Sequence, residues 1–153
     1  MAATLAPGDR APDFTLPDQD GTPVALADLL ARGPVVLFFY PMASSGGCTK
    51  EACHFRDLAA EFAAVGAQRV GISTDDVGAQ KAFDANHGFG YPLLSDRDGA
   101  VARAYGVHRG LFGKTLPVKR KTFVIGADGL LKTVIGGELA FDRHADDALA
   151  ALR

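Results

Sequence analysis

Six consecutive apolar residues, Val35–Tyr40 (VVLFFY), constrain this chain more than any other stretch. The run has no polar alternation, so it reads as a central strand buried on both faces of a sheet. It stops at Pro41, and a Ser/Gly-rich turn then delivers Cys48 to the start of a helical pattern. Any fold that accepts this strand therefore carries Cys48 just beyond its end.

The remaining elements follow from spacing and turn residues. Pro7-Gly8, Pro12, Pro17 and Asp20-Gly21 punctuate the N-terminal segment, which suggests an extended arm or short hairpin against the body. Phe55, Leu58, Ala59, Phe62 and Val65 recur at helical spacing, and Gly66 follows as a stop. Gln68–Ser73 reads as a strand, Asp76–Asn86 as a helix, and Tyr91–Ser95 as a strand near an edge or starting at its proline. Val101–Tyr105 is a short helical piece. Thr122–Ile125 and Leu130–Ile135 flank Ala127-Asp128-Gly129, a hairpin signal, and Ala145, Ala148, Leu149 and Leu152 give a last amphipathic helix. The order β-α-β-α, further β, hairpin and α implies a mixed sheet covered by helices, parallel first and antiparallel at the end. A thioredoxin-like α/β sandwich has this order.

With 153 residues, 48 % hydrophobic and 22 % charged, the sequence suits one domain over 1–153 with a real core. A formal charge of −2 gives no global attraction to nucleic acid or anionic membrane. No apolar run is long enough to span a bilayer, and the N-terminus lacks the basic start and apolar stretch of a secretory leader. Two cysteines cannot form the disulfide framework of a small secreted domain. The expectation is a cytoplasmic protein with reduced thiols.

If Ser45 caps the helix, Cys48 lies in its first turn, where unpaired N–H groups and the positive dipole end favour an anion. The thiolate is the nucleophilic form of cysteine. Gly46 and Gly47 are expected to leave the approach to the sulfur open. Cys53 follows five residues on. In an α-helix that spacing is about 7.5 Å of rise and about 140° of rotation, so the Cα atoms stand roughly 8–9 Å apart. A disulfide needs about 7 Å or less. The two cysteines cannot bond while the helix is intact, and bonding would require its first turns to unwind.

Several cysteine chemistries are excluded by position. Glu51 stands where the second cysteine of a C-x-x-C pair would be, and His54 where a C-x5-R phosphate loop needs arginine. Cys48, Cys53 and His54 lack an evident fourth zinc ligand, and GGCTK is not a phosphate-binding Walker loop. A pair of small apolar residues in a packed helix start is the simplest alternative. Glu51 reads as an ordinary helix-start carboxylate, and His54, His87, His108 and His144 are assigned no function. In Lys119-Arg120-Lys121, strand alternation turns Arg120 away from both lysines and toward the face of Thr122.

Over nearly its whole length the sequence resembles the peroxiredoxins of the atypical two-cysteine kind, PrxQ or bacterioferritin-comigratory protein. The matching stretches are GDRAPDFTLPDQDG, VVLFFYP, GCTKEACHFRD, GISTD, YPLLSD and RKTFVIGADG, of which G-C-T-K-E-A-C is the most specific. The resemblance implies that Cys48 is the peroxidatic cysteine and Cys53 the resolving one. Pro41, Ser45 and Cys48 match the pattern P-x-x-x-T/S-x-x-C, and Arg120 matches the family's active-site arginine. Proline would shield the sulfur, and the hydroxyl and guanidinium would hold the peroxide. Ser45 replaces the usual threonine and Gly46 the usual proline, which implies a less preorganised turn.

The expected activity is reduction of hydrogen peroxide and organic hydroperoxides through a Cys48 sulfenic acid. Cys53 would resolve it as an intrachain disulfide, recycled by thioredoxin or a similar dithiol protein. No metal, haem or flavin is implied. A monomer is the commoner state of this subgroup, with dimers also known. A peroxide sensor relaying oxidation to a partner, and a non-catalytic binding module, are the alternatives from other classes.

Overall fold

The computed structural model describes residues 5–109 and 118–153. The first four residues, part of the N-terminus read as leaderless, lie outside the described residues, as does the part of the 1–153 domain reading that covers 110–117.

The N-terminal arm forms an antiparallel hairpin, β1 (Thr15–Pro17) and β2 (Pro23–Ala25), turning through Asp20-Gly21 as expected. A short helix that the sequence pattern did not reveal, α1 (Leu26–Leu30), follows directly. The VVLFFY run becomes β3 (Val35–Phe39), and every residue of it is buried. Next come α2 (Gly46–Asp57), α3 (Ala59–Ala64), β4 (Gln68–Ser73), α4 (Val77–His87), β5 (Leu93–Ser95) and α5 (Ala100–Ala104). The chain ends in the hairpin β6 (Lys121–Ile125) and β7 (Leu131–Gly136) and helix α6 (Arg143–Leu152).

The five-stranded sheet has the order β5-β4-β3-β6-β7. Strands β3, β4 and β5 run parallel, while β6 and β7 are antiparallel to their neighbours. This is the mixed thioredoxin-like sheet expected from the element order. Strand β3 lies at its centre, so alternate residues feed two cores. Val35, Leu37 and Phe39 pack with Leu26, Ile72, Tyr105 and Phe123 on one face. Val36, Phe38 and Tyr40 pack with Cys48, Phe55, Phe62, Phe83 and Ala148 on the other. The second face carries the cysteine helix. The short strand β5 lies at the sheet edge and begins just after Pro92, whose missing N–H is harmless there.

One expected helix is two. The apolar periodicity from Phe55 to Val65 predicts a continuous helix, but it breaks at Leu58, whose φ and ψ are −93° and 20°. The Arg69 guanidinium accounts for the break, donating to the carbonyls of Phe55 (2.8 Å) and Arg56 (3.5 Å). The first of these carbonyls would otherwise accept the next helical N–H. After the break Phe55 and Phe62 still stack, at 5.9 Å between centroids. Gly66 ends α3 with φ of +69°, a value that favours glycine. Among the described residues no helix is long and apolar enough to cross a membrane.

Candidate active site

Strand β3 ends where Pro41, itself buried, turns the chain into the loop before α2. That loop is held from behind by a chain of hydrogen bonds. Asp75 Oδ2 accepts from the Ala43 N–H (2.7 Å) and from the Ser73 hydroxyl (2.7 Å). Gln80 Nε2 donates to Ser73 Oγ (2.9 Å), and the Tyr40 hydroxyl donates to Gln80 Oε1 (2.5 Å). Burial of Tyr40 pushes its phenol pKa well up, which keeps it a donor. Within the loop Ser44 has φ of 65°, the only positive value for a non-glycine among the described residues. Such a conformation is strained and persists where surrounding bonds enforce it.

Ser45 occupies the N-cap position with extended backbone, as expected. Its side chain does not cap; the hydroxyl donates to the Met42 carbonyl at 2.9 Å. The first intrahelical bond runs from Thr49 N–H to Ser45 O, so the amides of Gly46, Gly47 and Cys48 have no acceptor inside the helix. Cys48 is 1 % exposed and lies in this first turn. The expectation that both glycines leave open space holds only for Gly46. A Cβ on Gly47 would lie 2.6 Å from the Phe141 ring, so this glycine admits an aromatic side chain instead of leaving a gap.

Arg120, just before β6, turns inward while Lys119 stays exposed, as alternation predicts. Its Nη2 donates to Cys48 Sγ at 3.3 Å and its Nη1 to Glu51 Oε1 at 2.9 Å. Nε donates to the Glu138 carbonyl at 2.9 Å, and the Phe141 ring lies 4.9 Å from the guanidinium carbon. Burial opposes the Arg120 charge, but Glu51 and Cys48 outweigh it and hold its pKa above the ordinary range. All three guanidinium nitrogens are engaged, which only a planar fork of donors allows.

Glu51 corrects the reading of an ordinary helix-start carboxylate. It has no exposed surface, and burial pushes its pKa up to about 8 despite the pull of Arg120. Its Oε2 has no hydrogen-bond partner among the described residues and lies 3.6 Å from His144 Nδ1. His144 is fully buried as well. Its Nδ1 pairs with the Thr122 hydroxyl at 2.8 Å and its Nε2 with the Gly137 carbonyl at 2.9 Å. Since a carbonyl only accepts, Nε2 carries the proton, and burial lowers the His144 pKa so that the ring stays neutral. The four-residue set Cys48, Glu51, Arg120 and His144 thus holds one permanent cation and groups that share its charge. Only Cys48 and Arg120 were anticipated. The i,i+3 spacing from Cys48 to Glu51 puts both on one helix face and could have signalled the third; nothing local announced His144.

Cys53 lies on the same continuous helix, half-buried, and both cysteines are free thiols. The helix is tied down unevenly. Toward its C-terminal end the Ala52 carbonyl accepts from the Tyr91 hydroxyl (2.7 Å), His54 pairs with Asp146 (2.8 Å), and Arg56 Nη1 donates to the His87 carbonyl (2.8 Å). Arg69 adds its bond to the Phe55 carbonyl. The front turn is tied to the body through Arg120.

A sheet of this topology, with a buried cysteine at a helix N-terminus facing an arginine fork, defines the thiol peroxidases known as peroxiredoxins. Residues 7–134 match the AhpC/TSA family, and the chain belongs to it. A Mycobacterium tuberculosis protein named as a peroxiredoxin is 62 % identical over 146 residues, covering 95 % of each chain. The crystal structure of the peroxidoxin BcpB from Mycobacterium tuberculosis superposes with a TM-score of 0.93 at 60 % identity, covering 97 % of both chains. Bacterioferritin comigratory protein of Xanthomonas campestris, in structures concerned with its alkyl peroxide reduction activity, gives a TM-score of 0.82 at 34 % identity, covering 99 % of this chain and 97 % of that one. The resemblance to the PrxQ and bacterioferritin-comigratory branch is thereby borne out.

Proposed function

We propose that the chain reduces hydrogen peroxide and organic hydroperoxides through Cys48, with Cys53 as the resolving thiol and thioredoxin or a similar dithiol protein as reductant. The observation that carries this reading is the 3.3 Å bond from Arg120 Nη2 to the buried Cys48 sulfur. The Cys48 thiolate attacks one peroxide oxygen and the O–O bond breaks, leaving sulfenic acid on Cys48 and water or an alcohol as product. Arg120 and the amides of Gly46, Gly47 and Cys48 stabilise the charge that develops on the departing oxygen. Pro41 closes the pocket, and the Ser45 hydroxyl supplies a further contact to the peroxide. The alkyl peroxide activity of the Xanthomonas relative supports the wider substrate range.

Resolution forms the Cys48–Cys53 disulfide and releases water. Helix geometry requires the front turn of α2 to unwind first. A dithiol reductant then exchanges with the exposed disulfide. The cycle suits a single domain working as a monomer in the reducing cytoplasm. The test is intact mass after one equivalent of hydrogen peroxide, wild type beside Cys53→Ser. Wild type should lose two hydrogens, and the variant should gain one oxygen trappable at Cys48. A wild-type protein that stays fully reduced would sink the reading.

A further inference from the structure

The half-buried ring of His87, the last residue of α4, faces the sulfur of Cys53: Nδ1 lies 3.8 Å from Sγ, within hydrogen-bond reach for sulfur. The ring is held in that pose by Phe83 and Phe89, at 5.6 and 5.4 Å between centroids. Its backbone is held too, since Arg56 Nη1 donates to the His87 carbonyl. A cysteine within reach of a histidine whose own position is fixed by neighbours is the arrangement of an activated nucleophile. None of this machinery serves the peroxide step, which takes place around Arg120.

We infer that His87 is a catalytic residue for the second half of the reaction, the general base that deprotonates Cys53 for its attack on the Cys48 sulfenic acid. The inference rests on the proposed role of Cys53 as resolving thiol. His87 Nδ1 takes the thiol proton, and the Cys53 sulfur then supplies the electron pair of the new S–S bond. The S–O bond of the sulfenic acid breaks, and the leaving hydroxide receives the proton held on His87 to leave as water. Two thiols are oxidised and one peroxide is reduced over the cycle, with no further oxidant.

The uneven tying of α2 makes the geometry last through the step. Tyr91, Arg69, Asp146 and the Arg56–His87 bond hold Ala52–Arg56 to the body. Cys48 is held by Arg120, and that link weakens once the sulfur is a neutral sulfenic acid. The Cys48 turn is therefore the part that travels, and Cys53 receives it without leaving His87. Among the described residues, the charged and titratable groups bonded beside the pair are Arg56, which binds the His87 carbonyl and Asp57, and Tyr91, whose hydroxyl binds the Ala52 carbonyl next to Cys53, while Asp84 of α4 accepts from the Phe89 N–H.

The experiment is a quench-flow single turnover with hydrogen peroxide on the full chain, trapping sulfenic acid with dimedone and reading disulfide by intact mass. Wild type is compared with His87→Phe, which keeps a ring between Phe83 and Phe89, and with His87→Asn, which keeps a polar side chain but has no basic nitrogen. The readout is the rate of disulfide formation relative to sulfenic acid formation in the same sample. At pH 7 the ratio should fall about 10²-fold in both variants. The gap should close toward pH 9.5, where hydroxide can take the thiol proton in place of the missing base, and added imidazole should restore part of the rate at pH 7. A wild-type ratio in both variants at pH 7, or a deficit equal at both pH values, overturns the inference. A wild type that accumulates sulfenic acid and never forms the Cys48–Cys53 disulfide overturns both it and the resolving role of Cys53.

Discussion

Glu51 and Arg120 meet where neither is open to solvent: Nη1 stands 2.9 Å from Oε1, with side-chain exposures of 6 % for the arginine and none for the glutamate. The same guanidinium reaches Cys48, so replacing it with a single ammonium forces a choice between the two. Arg120→Lys should lower the second-order rate of sulfenic acid formation by about 10²–10³-fold. Dimedone trapping against time measures it directly, since the chain has no tryptophan to report by fluorescence. An unchanged rate would show that the helix amides suffice.

Glu51 and His144 give the fold a pH dependence whose two parts oppose each other. Glu51 keeps its proton up to about pH 8, whereas the unfolded chain releases it near 4.5, so this residue lowers stability as pH rises between those values. His144 is held below its ordinary 6.5, so the unfolded chain binds the extra proton in acid, and His144 lowers stability as pH falls below 6.5. The two effects offset each other below 6.5, and Glu51 acts alone above it. Between pH 6.5 and 8 the reduced wild type should therefore lose about 2 kcal/mol that Glu51→Gln retains. Urea unfolding of both proteins across that window checks it; parallel curves would contradict the buried neutral acid.

Gly47→Ala places a methyl group 2.6 Å from the Phe141 ring. The substitution should cost about 1–3 kcal/mol and slow the peroxide step, because Phe141 also backs Arg120. Trimming the ring should relieve it: the double variant with Phe141→Ala should be more stable than the sum of the singles predicts. Additive thermal denaturation data would mean that the helix start, not the ring, gives way.

Tyr91→Phe removes the hydroxyl that binds the Ala52 carbonyl and should cost about 1 kcal/mol. Its more specific effect belongs to hydrogen exchange. In the wild type, amides in the front turn of α2 should exchange faster than those after Ala52, and Tyr91→Phe should narrow the difference. Uniform protection along α2 in the wild type would contradict the uneven tying.

The sheet was legible in the sequence because β3 is buried on both faces and the hairpin before β7 carries its own turn residues. The placement of Ser45 at the N-cap, of Cys48 in the first turn of α2 and of Arg120 turned inward was legible as well, since helix start and strand alternation are local properties, whereas Pro41 stood out only through the family pattern. Glu51 was misread because its burial depends on Arg120 and His144, which are 69 and 93 residues away in the chain. The break at Leu58 escaped for the same reason, being imposed by a side chain from β4. His87 and His144 carry no periodic signal; each gains meaning only from what the fold sets opposite it.

The firmly tied rear of α2 also bears on how quickly the reactive state returns after reduction. Starting a helix from coil is the slow and unfavourable event, because several residues must be fixed for the first hydrogen bond. Adding residues to an existing helix takes only about nanoseconds each. With Ala52 bound to Tyr91 and Phe55 to Arg69, residues 52–56 would stay wound in the proposed cycle, and the front turn would rewind on a template already in place. In the proposed cycle such rewinding would outrun bimolecular exchange with a reductant, and the encounter with that partner would set the pace of recycling.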